Sequence, residues 1–187
     1  MRTKFFTGAG DGGKSALGKK SFRKDDPFFE VLGTLDELNS WVGFCRVSLR
    51  RGKTKRDVDT AAVLLRVQEI LFVMQAEAAG IFFKSPKYPI LRASATAHLE
   101  DTINRIDAIL PPLTKFIIPG GSELSAKLDI ARTVARRAER LAVGYSKKTK
   151  LSHETLQFLN RLSSLLFALA RHENFKKNIK EDSPSYT

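Results

Sequence analysis

Cysteine is almost absent from this chain of 187 residues, and so are long apolar runs. The single cysteine, Cys45, cannot form an internal disulfide, which is typical of proteins made for a reducing compartment. No window approaches about eighteen consecutive apolar residues, so the sequence predicts no membrane span. Residues 1–6 also lack the apolar run of a secretory signal. We therefore expect a cytoplasmic protein.

Metal-ligand spacing and nucleophile–base pairs are missing as well. His98, His153 and His172 are scattered along the chain, and we predict no protein metal site. Cys45 falls on an apolar helical stripe, which favours a core position over a nucleophile. No serine or cysteine hydrolase constellation is found.

Positive charge is what the sequence has in excess. Lysine and arginine number 32 against 20 aspartates and glutamates, a formal net charge of +12. This excess calls for an anionic partner, either a phosphate-bearing small molecule, a nucleic acid or an acidic surface. The basic segment 46–56 is most simply a solvated loop. Nucleic acid has weak support, because no predicted sheet interleaves aromatic with basic residues.

Five segments carry apolar residues at helical spacing. The sequence predicts helices over about 34–49, 59–83, 94–110, 122–145 and 152–174. Thr34 and Glu37 have the form of a capping box at the start of the first helix. Strand signals are weak, and residues 115–118 are the best candidate. We predict an all-α five-helix bundle in a single domain, 1–187, with a glycine-rich arm (1–33), the bundle (34–175) and a loose polar tail (176–187).

The glycine-rich segment 8–15 matches the phosphate-binding loop pattern G-x-x-x-x-G-K-[ST]. That loop needs a buried strand before it and a helix after it, and neither is predicted here, so we reject the P-loop NTPase fold. Free backbone N–H groups in the segment can still converge on an anion, aided by Lys14, Ser15 and Lys24. From these residues alone, a flexible arm with no ligand is an equal alternative.

The predicted fourth helix carries a row of arginines. Arg132, Arg136 and Arg140 follow one another at four-residue intervals, with Arg137 beside them. Like charges at this spacing cost helix stability by a few tenths of a kcal/mol per pair, so the row suggests a bound anion or acidic partners. Guanidinium groups grip phosphate oxygens bidentately. The alternative is a solvated basic face. Asp36 is a candidate partner for one arginine.

Six ordered motifs carry a family resemblance. They are TGAGDGG (7–13), KDDP (24–27), GTLDEL (33–38), FIIPGG (116–121), ARTVARRAER (131–140) and FLNRLS (158–163). With them the chain resembles the PduO-type ATP:cob(I)alamin adenosyltransferases, from about residue 7 to residue 171. The arginine-rich motif and the Asn-Arg-Leu-Ser segment are together highly specific.

The resemblance implies a five-helix bundle assembled as a homotrimer, with active sites between subunits. It implies a transferase that moves the 5′-deoxyadenosyl group of ATP to cob(I)alamin, giving adenosylcobalamin and triphosphate. ATP with Mg²⁺ and cobalamin would be its small-molecule ligands, and a cobalamin-dependent acceptor enzyme is a further partner. The nucleophile would be the cobalt, consistent with the absence of a protein nucleophile.

The resemblance also assigns roles to residues. Arg132 would pair with Asp36 across the subunit interface, and these two with Arg136 form the expected catalytic set. Expected nucleotide-binding residues are Thr7, Gly8, Ala9, Gly10, Ser15, Ala16, Lys24, Arg136, Arg137, Glu139, Arg140 and Asn160. Phe116 and Phe167 would face the corrin, although from its sequence context alone Phe116 is a core residue.

Two positions depart from the family pattern. Gly8 stands where the family usually has a lysine, and Ser164 stands where an aspartate commonly follows the Asn-Arg-Leu-Ser segment. Part of the triphosphate grip is then missing or moved to Lys14. These departures keep a second reading open, a non-catalytic protein that holds nucleotide or corrinoid for delivery. A basic RNA-binding bundle is a third.

Overall fold

The computed structural model describes residues 5–17, 20–49, 58–83, 89–147 and 151–186, and of residues 81–83 it describes the backbone alone. Five helices follow a short hairpin in this part of the chain: α1 Pro27–Val47, α2 Thr60–Phe83, α3 Ala93–Asp107, α4 Glu123–Ser146 and α5 His153–Lys176. The predicted helical bundle is confirmed. Most of the basic segment 46–56, from residue 50 onward, lies outside the described residues.

Helix α1 begins well before the predicted capping box, so that prediction is wrong. Asp26 is the N-cap, and its carboxylate accepts a hydrogen bond from the Phe28 N–H at 2.9 Å. Pro27 takes the first helical position, where its fixed φ suits a helix and its missing N–H costs nothing. Thr34 lies inside the helix and donates its hydroxyl to the Glu30 carbonyl at 2.8 Å. The arm before the bundle therefore ends at residue 26, where the sequence predicted residue 33.

The arm contains two short strands that the sequence did not predict. Strand β1, Lys14–Leu17, pairs antiparallel with β2, Lys20–Arg23. The Lys24 N–H continues the pairing to the Gly13 carbonyl at 2.9 Å. Residues 115–118, the predicted strand, have no regular secondary structure. Four-residue strands that bury little carry too weak an alternation to be recognised.

Helix α4 packs between α1 and α5. Its buried stripe spaces small and large residues at alternating intervals of three and four: Leu124, Leu128, Ala131, Ala135, Ala138, Ala142 and Tyr145. The alanines let the neighbouring helices come close. On α5 the predicted leucine stripe is buried at Leu159, Leu162, Leu166 and Leu169. The arginine row therefore lies on a helix whose other side is in the core.

The tail after α5 is polar, but the structure places it against the bundle where the sequence predicted a loose segment. The Ile118 N–H donates to the Asp182 carbonyl at 2.8 Å, and Arg171 forms an ion pair with Glu181 at 3.0 Å. The chain turns after α5 through Asn178, which has a φ of 53°. The tail thus covers the loop between α3 and α4. In the described residues, no helix combines the length and the apolar character needed to cross a membrane.

The cap of α1 gives a stability test. Asp26→Ala removes the acceptor for the Phe28 N–H and should lower the free energy of unfolding by about 1 kcal/mol. Asp25→Ala is the matched control, because Asp25 is exposed and its ion pair among the described residues is with the exposed Arg23. Urea denaturation measures both. Equal stability of the two variants would contradict the assigned helix start.

Candidate active site

The glycine loop is shaped by tight turns that leave room for a lysine side chain. Gly8 and Gly13 both have a φ of 72°, and the Asp11 N–H donates to the Gly8 carbonyl at 3.2 Å. A Cβ added at Gly10 would lie 2.8 Å from the Lys24 Nζ. The ammonium of Lys24 therefore lies directly against the loop. Thr7 and Ala9 belong to the same turns, whereas Ser15 and Ala16 lie on β1.

Gly8, the first departure from the family pattern, has a backbone conformation that suits glycine. A φ of 72° is adopted freely by glycine and is strained for a residue with a side chain. A lysine here would need a different local backbone. Lys14 begins β1 opposite Arg23 and is exposed. The one lysine that the described contacts bring to the loop is Lys24.

The arginines of α4 differ in their surroundings. Arg136 and Arg140 are exposed, and within the described part of the chain neither is paired with a carboxylate. Arg137 forms an ion pair with Glu37 of α1, and its buried Nε has no hydrogen-bond partner among the described residues. Glu37 thus pairs one guanidinium of α4 with a carboxylate of α1. The exposed pair of guanidiniums remains available to an anion.

A polar link joins α4 to α5 beside these arginines. The Asn160 Nδ2 donates to the Glu139 Oε1 at 2.7 Å, and the Asn160 Oδ1 accepts from Arg161 at 2.6 Å. Arg161 also pairs with Glu100 of α3 at 2.9 Å. Glu139 and Asn160, which the resemblance assigns to nucleotide binding, are therefore in direct contact. Ser164, the second departure, is exposed one turn further along α5.

The expected pair of Asp36 with Arg132 is not formed within one chain. Arg132 binds Asp129 of its own helix at 2.9 Å, and Asp36 is exposed on α1. In the described residues, no hydrogen bond or ion pair joins the glycine loop to the arginines of α4 either. A single chain therefore presents the expected site residues as separate groups.

A small pocket lies beside Arg132 and Phe167. The Arg132 guanidinium lies 5.9 Å from the ring centroid of Phe167, a cation–π contact. The pocket is lined by the loop 117–120 and by Asp129, Arg132, Phe167, Arg171, Asn174 and Glu181. Sequence reasoning missed Asp129, Arg171, Asn174 and Glu181. The spacing of residues 167, 171 and 174 along one face of α5 is the signal that could have found two of them.

Phe116 lies on the loop beside this pocket and is not a core residue. Its side chain is 79% exposed. The interpretation drawn from its sequence context alone is therefore wrong, because the loop has no regular structure that would turn the ring inward. The exposed side chains of Phe116 and Ile118 give this loop an apolar surface.

Neither a nucleophile nor a metal cage is found in the described residues. Cys45 is fully buried as predicted, and burial raises the pKa of its thiol to about 11. The thiolate is scarce near neutral pH, so nucleophilic attack by this residue is disfavoured. The described residues include no group of three or more histidine, cysteine, aspartate or glutamate side chains that could hold a metal.

These features define a class: a helical bundle in which α4 carries exposed arginines on one face and, through Asp129 and Arg132, lines a small pocket beside Phe167. A sequence model of the family described as "Cobalamin adenosyltransferase" matches residues 5–173. The chain belongs to this family.

Known relatives agree in sequence and in structure. The "Cobalamin adenosyltransferase" of Cupriavidus metallidurans is 41% identical over 167 residues, covering 88% of this chain and 80% of the relative. The "Corrinoid adenosyltransferase" of Bacillus subtilis is 38% identical over 176 residues, covering 94% and 89%. A single-substitution variant of a PduO-type ATP:corrinoid adenosyltransferase from Lactobacillus reuteri, complexed with cobalamin and ATP, has a TM-score of 0.85. It is 30% identical and covers 97% of each chain.

The exposure of Phe116 gives the next prediction. Phe116→Ala should leave the melting temperature nearly unchanged, because the ring contributes little to the core. The control is Phe158→Ala, whose buried ring should cost about 3–5 kcal/mol when removed. Calorimetry of both variants makes the comparison. A similar loss of stability in both variants would show that Phe116 is a core residue.

Proposed function

We propose that this chain is an ATP:corrinoid adenosyltransferase, which transfers the 5′-deoxyadenosyl group of ATP to cob(I)alamin. The observation that carries the proposal is the exposed pair Arg136 and Arg140. They lie on a helix whose opposite face is buried, and they have no carboxylate partners in the described part of the chain. Membership in the family supports the same activity.

The reaction needs two substrates in line and no protein nucleophile. The electron pair of Co(I) forms a bond to the 5′ carbon of ATP, and the bond from that carbon to the phosphate oxygen breaks. Triphosphate leaves with the electron pair, and cobalt is oxidised from Co(I) to Co(III). The role of the chain is to hold both substrates, which converts a bimolecular reaction into an effectively unimolecular one.

The leaving group sets the electrostatic requirement. Negative charge develops on triphosphate, and preorganised guanidinium and ammonium groups stabilise it as it forms. Arg136, Arg140 and Lys24 are the candidates, and the glycine loop would add backbone N–H groups. Mg²⁺ would neutralise phosphate oxygens. It needs few protein carboxylates when phosphates supply ligands, which fits the lack of a carboxylate cage in the described residues.

The apolar surface at Phe116 and Phe167 would receive the corrin. Cob(II)alamin must gain one electron from an external reductant before it can attack ATP. An apolar side chain that displaces the lower axial ligand makes this reduction easier. Phe116 is exposed enough to contact a ligand, and Phe167 is half-buried beside the Arg132 guanidinium.

An anaerobic assay tests the activity. Wild-type protein with ATP and chemically reduced cobalamin should produce adenosylcobalamin, seen in its absorption spectrum. Arg136→Ala should weaken ATP binding roughly ten- to a hundred-fold, because one charged hydrogen-bond partner is lost. Arg66→Ala is the control, since Arg66 is an exposed arginine of α2 paired with Glu69.

The outcomes separate the two functions under consideration. Binding of ATP and corrinoid without product would favour the alternative, a non-catalytic protein that delivers nucleotide or corrinoid. Unchanged ATP titration in Arg136→Ala would make the arginine row a solvated basic face. Equal losses in Arg136→Ala and Arg66→Ala would assign the effect to overall charge.

We further propose that the active protein is a cytoplasmic homotrimer that passes its product to a cobalamin-dependent acceptor enzyme. Support comes from the single chain itself, in which Asp36 and Arg132 are not paired with each other. Apolar side chains also face outward on α1 and α2, with Phe44 at 47% and Phe72 at 62% exposure. Assembly would bury such surface and bring the separate groups together.

The role of Asp36 gives a prediction about assembly. The wild type should sediment as a trimer at micromolar concentration, and Asp36→Ala should shift it toward monomer. Removing one partner of a pair buried at an interface costs about 2–5 kcal/mol. Glu30→Ala is the control, because Glu30 is another exposed acidic residue of α1. A monomeric wild type would contradict the proposed assembly.

A further inference from the structure

The last turns of α5 hold both ends of the loop 111–121, which carries Phe116. At the start of the loop, the Arg171 Nη2 donates to the Pro111 carbonyl at 3.2 Å. At its end, the Asn174 Nδ2 donates to the Gly120 carbonyl at 3.0 Å, and the Asn174 Oδ1 accepts from the Ser122 N–H at 3.0 Å. The loop is therefore tied at two points to one helix.

Asn174 fits its position closely. The residue is 3% exposed, and it binds one backbone acceptor through its Nδ2 and one backbone donor through its Oδ1, so both ends of the amide are used. A Cβ at Gly121 would lie 2.7 Å from both the Nδ2 and the Oδ1 of Asn174. Gly121 has a φ of 99°, so glycine is needed here for space and for backbone conformation.

The exposed ring of Phe116 needs such an anchor. With 79% of its surface exposed, packing against the protein does little to fix its direction. The direction must then come from the backbone of the loop. Small displacements of a positioning element reduce catalysis, because the reacting groups leave their productive geometry.

We infer that Asn174 is a positioning residue for the corrin side of the site: by clamping the Gly120–Gly121 turn it holds Phe116 against the corrin. This inference rests on the proposed function. Asn174 touches neither substrate in this role and acts through the loop. The contrasting possibility is that its contacts serve only to join the end of α5 to the start of α4.

Two substitutions reach the same contact from opposite sides. Asn174→Ala removes the amide, and Gly121→Ala drives a methyl group into it. If both act through one clamp, the double variant should be no worse than the more affected single variant, since effects at a shared contact do not add. Gly144→Ala is the glycine control, because a Cβ there meets nothing within 4 Å. Thr60→Val is the stability control, because it removes the buried hydrogen bond of Thr60 to Glu173, the neighbour of Asn174.

The first measurement does not depend on activity. Hydrogen exchange at the Ile118 N–H, which donates to the Asp182 carbonyl, should accelerate by about tenfold or more in Asn174→Ala, while the centre of α4 keeps its protection. Thr60→Val should leave exchange in the loop unchanged. Unchanged loop exchange in Asn174→Ala, or equal acceleration throughout α4, would overturn the inference even if the wild type proved inactive.

The second measurement concerns the corrin. With ATP bound, Asn174→Ala should lose most of the four-coordinate Co(II)alamin signal in electron paramagnetic resonance and about tenfold in kcat. The KM for ATP should stay within about twofold of wild type, because the arginine row is untouched. Loss of the signal in Thr60→Val at equal loss of stability would overturn the inference. A wild-type protein that forms no product would instead refute the proposed function. The exchange measurement would still test whether Asn174 holds the loop.

Discussion

The packing of α4 between α1 and α5 is the constraint on which the rest of the structure depends. Four alanines on its buried stripe, at 131, 135, 138 and 142, are 0–1% exposed and let both neighbours lie close. This leaves α4 little freedom to rotate or shift, because close-packed interiors deform poorly. The Cα–Cβ bond of every residue on its other faces therefore has a fixed direction. The arginine row and Arg132 are thus positioned by side chains that carry no charge at all.

That rigidity makes the charge of α4 useful. Repulsion within the row works against the isolated helix, yet the buried stripe holds the helix in place, so the guanidiniums cannot separate by unfolding it. Glu37 pairs with Arg137, and Asn160 engages Glu139, so Arg136 and Arg140 have no carboxylate partner in the described part of the chain. Exposed ion pairs contribute little stability, so these contacts matter more for where charge is left unpaired, as the proposed anion site requires.

Periodicity predicted the helices because each buries one continuous face, and a repeat of 3.6 residues is visible in the apolar positions of α5 without any tertiary information. The start of α1 was mispredicted because Thr34 and Glu37 repeat the spacing of a capping box inside a helix that Asp26 already caps. The hairpin escaped prediction because its two four-residue strands bury little and carry too weak an alternation. The ordered tail escaped prediction because it depends on contacts between distant residues, such as that between Ile118 and Asp182, which leave no local pattern.

The residues of the candidate site divide in the same way. Arg136 and Arg140 could be found because a charged row on an apolar helix conflicts with its own stability, and such conflicts mark functional positions. Asn174 could not, since a single asparagine near a helix end is common and its hydrogen bonds are to Gly120 and Ser122, more than fifty residues away in the chain. The two kinds of residue also do different work. A charged side chain that binds a substrate must be exposed, and a row of such residues stands out from the apolar and polar pattern of a helix. Asn174, which positions a loop, is buried, uncharged and hydrogen-bonded at both ends of its amide, and in sequence it looks like an ordinary part of the fold.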